Sequence, residues 1–195
     1  MQEREYLIRL YKSGLSQKDI ANKTNLTYFQ VRYRFQKYNI LKRSWSEATY
    51  VKRNPKGDPF KIKKKLTIAE VELRGVGLGL YWGEGTRRSK NSVKLSNTDP
   101  RLIRKFIKFL LKICGINKNK LRFSLQIFSD IDSKKALNFW LKELKAKPNQ
   151  FTKIVVTPSR GKGTYKNKIQ HGVLTVNCHN KKLREIIEKM LLELK

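Results

Sequence analysis

Acidic side chains are scarce in this chain. Across 195 residues, 15 Asp and Glu face 45 Lys and Arg, a formal charge of +30. That much like charge repels itself in the folded state. A polyanion relieves the repulsion, and the counterions it releases drive binding. The excess is spread along the chain: residues 1–68 hold 17 basic and 5 acidic residues, residues 69–195 hold 28 and 10. This argues against a neutral enzyme with one basic tail. Two cysteines, Cys114 and Cys178, are too few for a disulfide scaffold. Together with His171 and His179 they lack the spacing of a zinc site. Long apolar runs are missing too. The most apolar helical stretch, 106–114, is broken by Lys108 and Lys112. Met1 is followed by Gln-Glu-Arg-Glu rather than by the apolar core of a secretory signal. These absences predict a cytoplasmic, nucleoid-associated protein with no membrane partner. The basic loop 159–164, rich in glycine, lacks P-loop spacing, so no nucleotide cofactor is expected. No Ser/His/Asp set is recognisable.

What is present begins with three short helices. Tyr6, Leu7, Leu10 and Tyr11 recur at helical spacing, and Gly14 stops that helix. Ser16 caps a second, 17–23, and Thr27 caps a third that runs to about Lys37. Asn25 occupies the intervening turn, where a positive φ is needed. Ala21, Asn25 and Val31, with Val31 and Phe35 facing inward, give residues 4–40 a resemblance to the helix-turn-helix. That resemblance implies DNA contact by the third helix. Its outward candidates are Thr27, Tyr28, Arg32, Tyr33 and Gln36. Arg and Gln read guanine and adenine edges, while Thr and Tyr suit phosphates or a thymine methyl. Residues 41–66, with a turn-rich 54–59 and the run Lys61-Ile62-Lys63-Lys64-Lys65, read as a basic linker. It serves either as a strap on phosphates or as a solvated tether.

The third part, 67–195, opens with an unusual helix. Five of the eleven glycines lie between positions 75 and 85. Each interior glycine costs a helix about 1 kcal/mol relative to alanine, so a packing gain should offset them. Gly75, Gly79 and Gly83 fall on one ridge, where a second helix can approach closely. Glu84 sits at the C-terminal tip, where the macrodipole disfavours an anion. A nearby cation would make sense of it.

The remaining elements follow in order. Residues 86–90 and 92–97 read as a hairpin, and Asp99-Pro100 opens a helix that Gly115 ends. Leu121, Phe123, Leu125 and Ile127 alternate as a strand. An inserted helix carries Leu137, Trp140, Leu141 and Leu144. Residues 151–157 and 172–178 read as strands, and Asn180 caps a last helix ending near Leu194. Opposite the apolar strand positions lie Lys94, Ser96, Arg122, Ser124, Gln126, Thr175 and Asn177, with Arg88 in the first strand. None is acidic. This inventory suits base edges and phosphates.

Gly77-Leu78-Gly79-Leu80-Tyr81-Trp82-Gly83-Glu84-Gly85 resembles the motif of the LAGLIDADG homing endonucleases. Gly77 stands where the motif has Leu, and Trp82 where it has its first acid. The resemblance spans about 68–195 and implies an α+β fold: an αββαββα core, here with an inserted helix, behind the helix-turn-helix of 1–40 and the linker of 41–66. It implies that the Gly75/Gly79/Gly83 helix pairs with its counterpart in a homodimer, since one motif supplies one acid and two are needed to cut both strands. It implies that Glu84 is the catalytic and metal-binding residue, holding Mg²⁺ or another divalent cation. The expected function is site-specific double-stranded DNA binding with metal-dependent phosphodiester cleavage. The alternatives are a non-catalytic transcription regulator on the same fold and an RNA-binding maturase.

Overall fold

The computed structural model describes residues 2–86, 88–159 and 169–193. The chain forms two compact units, residues 1–59 and 60–195. Among the described residues it is α+β, with eight α-helices and a four-stranded mixed sheet. No helix among them is long and apolar enough to cross a membrane.

In the first unit α1 is Gln2–Lys12, α2 Gln17–Thr24 and α3 Tyr28–Lys37. Local chemistry sets each boundary. The Ser16 hydroxyl accepts from the Asp19 amide at 3.1 Å, and the Asp19 carboxylate accepts from the Ser16 amide at 2.9 Å. Thr27 and Gln30 repeat the arrangement at the start of α3. Asn25 takes φ 53° and turns the chain between α2 and α3, where the Leu26 amide returns to the Ala21 carbonyl at 3.2 Å. Leu7, Leu10, Ile20, Ala21, Val31 and Phe35 form the buried core. Tyr6, expected on the inner stripe, is instead exposed beside Arg9.

The expected linker is not a bare tether. Ser44 and Glu47 form another capping box, and α4 runs Trp45–Arg53. Its start is anchored by Arg43. That guanidinium lies 4.0 Å from the Tyr11 ring centroid and donates to the Tyr11 and Leu15 carbonyls. From Phe60 onward the segment belongs to the second unit. Phe60 is buried, and the amides of Lys61 and Lys63 donate to the carbonyls of Cys114 and Ile113. Gly115 (φ 64°) leaves room for the Lys61 carbonyl.

The second unit runs α5 (Ile68–Glu84), β1 (Val93–Asn97), α6 (Pro100–Lys112), β2 (Arg122–Phe128), α7 (Ser133–Leu144), β3 (Val155–Thr157), β4 (Val173–Cys178) and α8 (Lys181–Leu192). The sheet order is β1-β4-β2-β3. β4 is antiparallel to both β1 and β2, whereas β3 runs parallel to β2. The parallel pair follows from α7: a helical crossover returns the chain in its starting direction. Val93, Leu95, Phe123, Leu125, Leu174 and Val176 point to the core, where α6 contributes Ile103, Phe106, Phe109 and Leu110.

Two expected strands are corrected. Within 86–90, Thr86 and residues 88–90 are not strand, so the described part does not form the first strand of a hairpin. Described contacts there are the bridge of Gly85 to Leu95 and the Thr86 amide on the Lys94 carbonyl at 3.0 Å. The stretch is Thr-Arg-Arg-Ser-Lys, with no alternating apolar side chain to hold it on the core; Arg87 lies outside the described residues. The strand expected over 151–157 is confined to Val155–Thr157, with a single bridge from Phe151 to Phe123 before it. In the basic loop 159–164, residues 160–164 lie outside the described residues, as does Leu194.

Candidate nucleic-acid interface and carboxylate

Three surfaces carry the expected site residues, one in the first unit and two in the second. On α3, Arg32, Tyr33 and Gln36 are exposed as expected. Thr27 is also exposed, but its hydroxyl accepts from the Gln30 amide and serves as the helix cap. Tyr28 is only 44% exposed, because it sits toward the side of the helix that carries Val31 and Phe35. Phe29, absent from the expected set, is 75% exposed. At 100° per residue it lies about 200° from Val31, near the middle of the outward face. Helical-wheel arithmetic on the sequence contains that signal. Arg34 points elsewhere: it holds Glu3 at 2.5 Å, and the Tyr38 hydroxyl donates to the same carboxylate at 2.5 Å. The Tyr38 hydrogen bond, and then that of Arg34, keep the Glu3 carboxyl below its ordinary range.

The outward face of the sheet is ordered by register. Lys94, Asn177 and Arg122 form one row across β1, β4 and β2, and Ser96, Thr175 and Ser124 form the next. Ser96 and Thr175 share a hydrogen bond of 2.8 Å. Gln126 is exposed one step further along β2. Arg122 is partly committed to its own chain, donating to the Asn119 and Leu121 carbonyls at 2.8 and 2.9 Å. Arg88 is exposed but lies in a turn, not on the sheet as expected. Sequence reasoning missed His179, which joins the first row through its 2.8 Å contact with the Asn177 amide nitrogen. Burial first, then Lys94 and Arg122, hold the His179 pKa below its ordinary value. No acid occupies an outward position on β1, β2 or β4.

On α5 the two kinds of glycine separate. Gly75, Gly79 and Gly83 are exposed, and a Cβ on any of them would meet no atom within 4 Å among the described residues. Ile68, Val71 and Trp82 are exposed beside them. Gly77 lies on the opposite side, where a Cβ would overlap the Phe109 ring of α6. Glu84 is the last residue of the helix and is exposed. It stands one residue beyond the ridge, so it points about 100° away from it.

Among the described residues no group of three or more His, Cys, Asp or Glu converges on one point. One protomer offers Glu84 and the last carbonyls of α5, all oxygen donors of the kind Mg²⁺ takes. That set fits a divalent cation only as part of a site completed by phosphate, water or a second copy. Both cysteines are buried in the core of the second unit. Burial raises the Cys114 pKa to about 12 and that of Cys178 to about 11.

Comparison with known protein families, with curated proteins and with solved structures finds no match.

Proposed function

We propose that this chain is a site-specific double-stranded-DNA-binding protein that cleaves its site with a divalent cation as a homodimer. The observation that carries the reading is a pair of outward surfaces, α3 and the sheet, that present Arg, Lys, Gln, Asn, Ser, Thr and Tyr without an acid. Such side chains pair with base edges and phosphates. The α2–turn–α3 arrangement supports a helix-turn-helix reading, with α3 in the major groove. Lys94, Arg122 and the hydroxyl row of the sheet hold a second stretch of duplex. The open glycine ridge of α5, flanked by exposed Ile68, Val71 and Trp82, is the face on which two copies pair. Parallel pairing there would bring one Glu84 from each copy to the same end of the joined helices. Glu84 is the residue that would hold Mg²⁺, which when bound supplies charge neutralisation at the scissile phosphate and a more acidic water.

The test is selection from a randomised duplex library, followed by binding and cleavage of the enriched duplex by wild type and Glu84→Gln. Wild type should bind more weakly as salt rises, because many phosphates are neutralised, and should cut with Mg²⁺. Glu84→Gln should bind without metal as wild type does and should not cut. A protein that binds its enriched site tightly but never cuts it with Mg²⁺ or Mn²⁺ is a regulator on the same fold. Binding that ignores salt removes the electrostatic basis of the whole reading.

A further inference from the structure

Two exposed aromatic rings stand near the centre of the otherwise polar outward face of α3. Phe29, Arg32, Tyr33 and Gln36 stand at i, i+3, i+4 and i+7, one stripe opposite the buried Val31 and Phe35. Phe29 is its least covered large apolar member. It contributes nothing to the core of the first unit, which is built from Leu7, Leu10, Ile20, Ala21, Val31 and Phe35. Its described ring contact is an edge-on one with Tyr28, centroids 5.9 Å apart. An exposed phenylalanine among basic and amide side chains lacks a partner in water, and α3 carries no acidic residue to repel a polyanion.

A helix that enters a major groove presents the middle of its outward face, and its N-terminal end, to the base edges. Phe29 is the second residue of α3 and lies about 40° from that midline, which Tyr33 occupies. The apolar feature of the groove is the thymine 5-methyl group. We infer that Phe29 is a specificity-determining residue that packs on thymine methyls, while Arg32 and Gln36 flank it with hydrogen bonds. This rests on the proposal above that α3 docks in the major groove. It commits the exposed ring to duplex DNA rather than to a protein surface, because the surrounding side chains are basic or neutral.

The experiment uses the full chain and the duplex enriched from the randomised library. That duplex is made twice, with thymine and with uracil, which lacks only the methyl. Wild type should prefer the thymine duplex by about fourfold per contacted methyl, the factor expected for burying one such group. Phe29→Ala should lose the preference and keep the salt dependence. Phe29→Leu, still apolar, should retain part of it. Far-ultraviolet circular dichroism should show both variants folded, since Phe29 lies outside the core. The inference is overturned if the enriched site fixes no thymine, if wild type binds both duplexes alike, or if Phe29→Ala keeps the preference. It is also overturned if Phe29→Ala alters the sedimentation of the free protein, which would make the ring a protein contact. Absence of any duplex binding would instead remove the proposed function itself.

Discussion

Gly77 and Gly79 sit two residues apart on α5 and face opposite environments. Gly77 is buried, and any side chain there would enter the Phe109 ring of α6. Gly79 is exposed, and beyond its own stretch of helix no described atom lies within 4 Å of where its Cβ would be; Gly75 and Gly83 share that condition. The Gly77 deficit in helix propensity is offset inside the protomer, because the missing side chain lets α5 lie close on α6. Among the described residues the ridge has no such compensation. Three exposed glycines cost about 3 kcal/mol relative to alanine. The difference teaches that close packing against α6 explains one glycine, while nothing among the described residues packs on the other three, the face proposed above for a second copy.

The largest expected effect lies on the buried side. Gly77→Ala gains up to about 1 kcal/mol of helix propensity, but it forces a methyl into a filled space. The net should be a loss of about 2 kcal/mol, read as a lower urea midpoint by circular dichroism. Stability equal to wild type would mean that α5 and α6 stand further apart than described, and the contrast with Gly79 would collapse.

Gly79→Leu tests the open side. Among the described residues a Cβ there meets nothing, and leucine is nearly as good a helix former as alanine, so dilute protein should be at least as stable as wild type. Close approach of a second α5 should be blocked, weakening the dimer by more than about tenfold, or about 1.4 kcal/mol. Sedimentation velocity across a concentration series reads this directly. A full-strength dimer would place the interface on another surface and leave the ridge unexplained.

How much of this was legible beforehand follows from how local each cause is. The caps Ser16 and Thr27, the left-handed Asn25 and the inward Val31 and Phe35 were readable, because each depends on residues within one turn. The core-facing alternation of β2 and β4 was readable for the same reason. Helix α4 carries the Ser44–Glu47 signature of a helix start, but none of its residues is buried, so no core-facing stripe marks it. The strand expected over 86–90 rested on the order of elements rather than on a pattern in the residues. Gly77 was grouped with a motif, since Phe109, its reason, lies 32 residues away in sequence and only tertiary packing brings it near. Phe29 and His179 show the two ways a site residue escapes. The first needed the wheel to be centred on the outward face. The second needed the register that puts Asn177 between Lys94 and Arg122.

The smallest expected effect is the most discriminating. Gly79→Ala adds one methyl where the described protomer has open space, and alanine restricts the unfolded chain more than glycine does. In dilute protein, where only monomer is present, the variant should be more stable than wild type by about 0.5–1 kcal/mol. The sign is opposite to that at Gly77, for the same chemical change in the same helix. If α5 pairs with its counterpart as proposed, rising concentration would bring the added methyl against the partner's backbone. Dimerisation stabilises by mass action, and wild type should draw more from it than the variant. The advantage of Gly79→Ala should therefore shrink, or reverse, with concentration. Thermal melts of both proteins over a hundredfold concentration range measure that crossing. An advantage that stays constant across the range would show that Gly79 meets no second copy, and the glycine ridge would then have no role in assembly.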